Sequence, residues 1–504
     1  MGTKFQLPSL SAPDCFSAIF RNFLTFFLLY MLTSTAFSEA PTSYKDITFP
    51  ALNEIKTLEP ERIVLPNGLI LYLMEDHELP TIQIGAIIRA GSAYEPPEKL
   101  ALAEMTAEIM RSGGTKKYSG DSIDEELDSI ASTMEFTVER TSTSLDAFAL
   151  KDYFDTVLDI LSDMLKNPIF PEDKIALEKV QQHSIIDRRN DETLDIAQRE
   201  FRKLIYGANS PYARNSEHKI ISGITRDDLV AFHKQYFRPN KIFLGISGDF
   251  NRNELLPKIE KAFGDWSNEG EESATLPEVE KNFSPGLFAV QRTDLNQSTI
   301  FLGHLGGLCS NPDFFAIQVM NRILSEGFTS RLFNKVRSEQ GLAYQVFGRY
   351  ADRYDYPGIF YSGCVTKSET TARATQAIIT EITRLQTEEA TDLELKVAKE
   401  GYLNSFVFYF DSTEKIVNRL MLYEFYGYPR DFLQKTKENI EKVTAADVLR
   451  VAKQYIQPDK LKILIVGNEG TSKEQLSQLN MGEVQYIDVS IPADPEKEQS
   501  DSKK

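Results

Sequence analysis

The stretch ITRDDLVAFHKQYFRPNKIFLGISG, residues 224–248, returns as VTAADVLRVAKQYIQPDKLKILIVG at residues 443–467. Thr225 stands with Thr444, Asp228 with Asp447, Lys234-Gln235-Tyr236 with Lys453-Gln454-Tyr455, Pro239 with Pro458, and Gly248 with Gly467. So many matches in one frame mark two copies of a single module. Thr225 and Thr444 suit N-caps of amphipathic helices, the prolines end the connection, and IFLGISG and LKILIVG read as short apolar strands.

Working outward, the boundary between the copies falls where acids accumulate and apolar density drops, at residues 265–285, which read as an exposed linker. In the first half, residues 63–73 read as strand, Asn67-Gly68 turn, strand, and residues 81–90 alternate as another strand. Helical patterns follow at 100–110, 122–133, 151–165 and 171–187. Strand runs followed by helix pairs predict an α+β class: two homologous halves, each an antiparallel sheet covered on one face by helices as a two-layer sandwich. The expected segments are 58–264 and 286–485 for the halves and 486–504 for a disordered tail.

The chain has 504 residues, 41% hydrophobic and 26% charged, enough to bury sizeable cores. A formal charge of -18 argues against a nucleic-acid binder, because neutralising phosphates needs excess Lys and Arg. The apolar run FLTFFLLYML, residues 23–32, follows Lys4 and Arg21 and precedes Ala36-Phe37-Ser38. Basic, apolar and small residues in that order read as a secretory signal over residues 1–38, with an extension at 39–57. The run is too short for a comfortable span, since a helix needs about 20 apolar residues to cross a bilayer. No stable membrane span is therefore expected after signal cleavage, and the expected location is the periplasm of a Gram-negative bacterium; a mitochondrial presequence fits less well, with only two basic residues in the leader. Cys309 and Cys364 would be the cysteines left after cleavage; they form no CxxC motif and read equally as a disulfide or as two buried thiols. His77, His183, His218, His233 and His304 are scattered, with no two at metal spacing on one predicted helix. GxSxG, GxGxxG and GxxxxGK[ST] motifs are absent.

Pro66-Asn67-Gly68, then Gly91-Ser92-Ala93-Tyr94-Glu95-Pro96, a helix to Met110 and the Gly113-Gly114-Thr115 turn occur in a familiar order. With the paired halves, the turn at Asn167-Pro168 and the repeated Gln-Tyr to Pro strand entry, the chain resembles the insulinase and processing-peptidase family of inverted zincins over residues 58–468. The resemblance implies that the two halves are arranged as a clamshell. Active members carry HxxEH on the first helix, two His at i and i+4 binding zinc and the Glu polarising a water. Counted back from Gly114-Thr115, those positions hold Met105, Thr106, Ala107, Glu108 and Ile109, and the third ligand, a downstream Glu, falls at Ile185. Met105, Ile109 and Ile185 would thus replace the zinc ligands, leaving Glu108 as a remnant of the general base or simply a solvated carboxylate. An isoleucine offers no lone pair, so no metal and no cofactor are expected in this chain.

The second half contains Gly327 to Phe333, then Val336-Arg337 and Gly341-Leu342-Ala343-Tyr344, which reads as a helix capped by Thr329, a Gly341 stop and a strand. The resemblance implies that an Arg and a Tyr seven residues apart, here Arg337 and Tyr344, reach a peptide substrate bound beside the zinc. Residue type alone also allows Arg337 to neutralise a helix end and Tyr344 to pack in a core. Some members of the family work as pairs. The expected role is therefore a non-catalytic, peptide-binding subunit completing the chamber of an HxxEH-bearing paralogue that holds the zinc, as a heterodimer, with a homodimer as the other arrangement. The alternatives are a structural or peptide-capturing subunit with no proteolytic partner, and a peptidase with an unrecognised site.

Overall fold

The computed structural model describes residues 59–269, 275–281, 284–468, 476–479 and 481–493. The expected signal at 1–38 and extension at 39–57 lie outside the described residues. The first sheet contains β1 (Glu61–Val64), β2 (Ile70–Glu75), β3 (Thr81–Ile88), β4 (Thr133–Val138), β5 (Thr143–Leu150) and β6 (Ile242–Gly248), in the order β1-β2-β6-β3-β5-β4. The second contains β7 (Gly286–Gln291), β8 (Gln297–Leu305), β10 (Ala343–Tyr350), β12 (Ile359–Lys367), β13 (Lys462–Gly467) and β14 (Val484–Tyr486), in the order β10-β12-β8-β13-β7-β14. The short strands β9 (Gly307–Leu308) and β11 (Asp352–Arg353) pair separately.

Read from opposite ends, the two orders coincide, with β13 in the place of β6 and β7 in the place of β2. Most neighbours are antiparallel, but β6 runs parallel to β2, β13 to β7, and the edge strand β14 to β7. The first two parallel pairs arise because β6 and β13 enter after long helical excursions, whereas antiparallel neighbours can be joined by short turns. The repeated stretch behaves alike in both halves. Thr225 and Thr444 form capping boxes with Asp228 and Asp447 on the helices Arg226–Tyr236 and Ala445–Tyr455.

One face of the first sheet carries its own helices over a core of Ile84, Met105, Ile109, Val157 and Leu161. Its other face is covered by a helix from the second half, Thr413–Phe425, whose Val417 and Met421 pack on Tyr72 and Phe243. Gly85 and Gly245, paired across β3 and β6, make room: a Cβ on Gly245 would come within 2.4 Å of Val417, and one on Gly85 within 2.5 Å of Asn418. In return, the first-half helix Thr193–Tyr206 lays Ile196, Ala197 and Phe201 on Phe301, Leu464 and Val466 of the second sheet. Each half so lends a helix to the bare face of the other's sheet, and the described residues form one compact unit.

Two boundaries differ from expectation. Leu276 and Val279 of the acidic connection pack against the second half, and the Tyr212 hydroxyl donates to the Pro277 carbonyl at 2.9 Å. The expected tail begins at Tyr486, the last residue of β14, and its next residues are ordered as well, with Ile487 and Val489 packed on the second sheet's cluster. Both segments carry isolated apolar residues that a polar surrounding hides from composition. No helix among the described residues is long and apolar enough to cross a membrane.

Candidate functional site

The helix Leu102–Ser112 begins unusually, with Ala101 at φ 73° and its free N–H groups taken up by a buried carboxyl. Glu95, 5% exposed, accepts from Ala103 N at 2.7 Å and from Ala101 N at 3.2 Å. Burial, and then the adjacent charge of Glu104, push the Glu95 carboxyl well above the usual carboxylate range.

Met105 and Ile109 are fully buried in the first-half core, so neither stands where an ion could be approached. The pair at i and i+4 that the helix turns away from the core lies one residue earlier: Glu104 lines the cavity between the halves, and Glu108 is exposed. The count slips because the glycine is doubled. Gly113 closes the helix, its N–H bonding to Ile109 O, and Gly114 at φ +70° makes the turn, so the helical frame counts from Gly113. Ile185 is likewise displaced, 60% exposed on the helix Glu172–Arg188. The acid of that helix near Glu108 is Glu178, 5% exposed, its carboxyl raised chiefly by burial and further by the Glu108 charge while Gln182 donates to it at 2.8 Å.

Those donors do not suit zinc. The set has carboxylates only, Glu104 is engaged with Glu95, and among the described residues no group of three or more His, Cys, Asp or Glu side chains could hold a metal ion. His183 and His218, far apart in sequence, meet with Nδ1 atoms 2.7 Å apart, and Asp187 lies 3.1 Å from His218 Nε2. Sequence spacing gave no signal of that contact. Cys309 and Cys364 are both free and buried, and burial pushes the Cys364 thiol up to about 12.

Arg337 and Tyr344 do come together. Arg337 sits on a π-helical turn, Phe333–Glu339, a wider coil often found at functional sites. Its guanidinium lies 4.6 Å from the Phe333 ring centroid and 4.6 Å from that of Tyr344, held between two aromatic faces. Tyr344, 83% exposed, stands on the edge strand β10. Phe328, 79% exposed, packs edge-on against Phe333 at 5.1 Å and extends the strip. The turn is anchored from below by Arg331, which is 3% exposed and gives Nε to Glu394 Oε1 at 2.8 Å.

Between the halves lies a cavity of about 600 Å³. The first half contributes Glu104, Glu139 and Arg140, the crossing helix Phe201, Arg202 and Tyr206, and the second half Phe301, Phe347, Arg353, Tyr356 and Tyr361. No motif announced it, because its walls come from five separated segments.

Two family models match the chain: the insulinase peptidase family M16 over residues 71–209, and the peptidase M16 inactive domain over residues 223–402. The chain belongs to the insulinase family. Similar proteins include an uncharacterised zinc protease of Rickettsia felis, 27% identical over 66% of this chain and 80% of that one. The uncharacterised zinc protease YmxG of Bacillus subtilis is 25% identical over 71% and 86% of the two chains. The Helicobacter pylori protein named non-peptidase homologue YmxG is 24% identical over 79% of this chain and 92% of that one. The fold matches a crystal structure of a peptidase M16 inactive domain from Pseudomonas fluorescens, with TM-score 0.75, 22% identity and coverage of 82% and 98%. As an insulinase-family chain without HxxEH, it is peptidase-like in fold while its first helix presents carboxylates at the outward positions.

Proposed function

We propose that this insulinase-family chain is the non-catalytic, peptide-binding subunit of an exported zinc metallopeptidase, completing the chamber of an HxxEH-bearing paralogue that holds the zinc. The observation that carries the reading is the Arg337 and Tyr344 pair, a cation and a phenol held together on one turn with the Tyr344 ring open to solvent, on a chain whose described residues include no group of three or more His, Cys, Asp or Glu side chains able to hold a metal ion. Arg supplies a fork of donors to peptide carbonyls, and a Tyr hydroxyl can donate to a developing oxyanion. Uncovered apolar side chains support a protein partner: Leu177, Val180 and Ile185 are 53%, 65% and 60% exposed on the helix that carries Glu178. The basic, apolar, small-residue order of residues 1–38 supports export to the periplasm.

Co-expression with an HxxEH relative from the same genome tests this. A one-to-one complex is expected, with peptidase activity that falls about a hundredfold when Arg337 or Tyr344 becomes Ala, the typical loss on removing an oxyanion donor. Activity unchanged by both substitutions would refute the assisting role.

A further inference from the structure

Three guanidinium groups line the cavity between the halves, and the nearby Asp355 carboxylate is shared between Arg353 and Arg89. Among the described residues Arg140, Arg202 and Arg353 form no ion pair; Arg140 donates only to the Ser92 hydroxyl at 3.2 Å, and Arg353 lies 5.7 Å from the Tyr356 ring centroid. Arg202 projects from the crossing helix into the middle of this group. Burial lowers its proton affinity first and the Arg140 charge next, Arg353 adds to them, and the groups that offset them are the phenols of Tyr356 and Tyr206. Arg140 and Arg202 are half-buried and Arg353 is exposed, and like charges gathered around one cavity favour an anionic occupant. Two acids share the cavity, but Glu104 leans on Glu95, and Glu139 is exposed.

The opposite wall is apolar. Phe301 lies 4.8 Å from Phe347 and 5.6 Å from Phe201, ring to ring. Gln345 and Phe347 bring the edge strand β10 to the rim, where Gly348 O accepts from the Ser325 hydroxyl and the Tyr350 backbone pairs with the Asn321 amide.

We propose that this cavity binds the acidic portion of a peptide, a carboxylate received by Arg140, Arg202 and Arg353 and a neighbouring large apolar side chain lying on Phe301 and Phe347. An inorganic anion would satisfy the arginines alone; the aromatic wall beside them calls for a ligand that also carries a large apolar group, as a peptide does. The assignment rests on the peptide-binding role proposed above and names its substrate class, which runs against the preference for basic peptides that an acidic chain would lead one to expect.

The test is fluorescence-anisotropy binding to the full chain of two labelled ten-residue peptides sharing one apolar sequence, one with two Glu and one with two Lys, each with a free or amidated C-terminus. The acidic peptide is expected to bind at least about tenfold more tightly, the usual scale for a hydrogen bond to a charged group. Arg353→Gln, on an exposed side chain, and Arg202→Gln should each weaken it about tenfold without weakening the Lys peptide. Loss on amidation assigns the terminal carboxylate, and retention assigns the side chains; either supports the site. Equal affinity for both peptides, or acidic-peptide affinity unchanged in both variants, overturns the anion assignment and leaves peptide binding standing. Binding of neither peptide overturns both.

Discussion

Glu394 offers the sharpest quantitative check on how the Arg337 turn is held. Arg331, 3% exposed, grips it with Nε to Oε1 at 2.8 Å and Nη2 to Oε2 at 3.2 Å, and Thr391 N donates to it at 2.8 Å. Burial is the largest single influence and opposes the charged form, but the Arg331 and Thr391 contacts together outweigh it and the carboxyl is held at about 2 against an ordinary 4.5. At about 1.4 kcal/mol per tenfold change in proton affinity, that difference sets a ceiling of about 3.4 kcal/mol. Because 21% of the side chain meets solvent, about 2 kcal/mol is the expected figure. A carboxyl with a depressed pKa stabilises fully above its unfolded value and loses that contribution as pH falls toward its folded value. Glu394→Gln, which mimics the protonated acid, should therefore lose about 2 kcal/mol at pH 7, with more than half of the gap to the parent closed by pH 3. Urea unfolding followed by circular dichroism across that range measures it. A gap of the same size at both ends, or none at pH 7, would refute the reasoning.

Two further outcomes are expected. Met105→His with Ile109→His should destabilise the chain by about 3 kcal/mol or more, because both side chains leave a closed core, whereas Glu104→His with Glu108→His should fold and acquire measurable zinc affinity by calorimetry. The reverse ranking in thermal unfolding would return the ligand frame to Met105 and Ile109. Glu95 has the opposite linkage to Glu394: its raised pKa gives stability that is complete below 4.5 and is lost as pH rises through the folded value. Glu95→Gln should flatten the decline in urea midpoint between pH 5 and 8, and parallel profiles for variant and parent would contradict that.

Much of this molecule could be read from local chemistry. The repeat at 224–248 and 443–467 set two modules, with the same capping boxes and strands in each, because caps and strand periodicity are decided by neighbours within a few residues. The same holds for Arg337 and Tyr344, which a short turn brings into contact. The ligand frame was not legible, because one added glycine leaves composition unchanged yet rotates every position on a helix by about 100°. Helix exchange between the halves, the meeting of His183 with His218 and the arginine cavity likewise needed the tertiary structure. Each depends on segments distant in the chain sharing one face or one void, and that is settled by how the sheets and helices bury their remaining apolar surfaces.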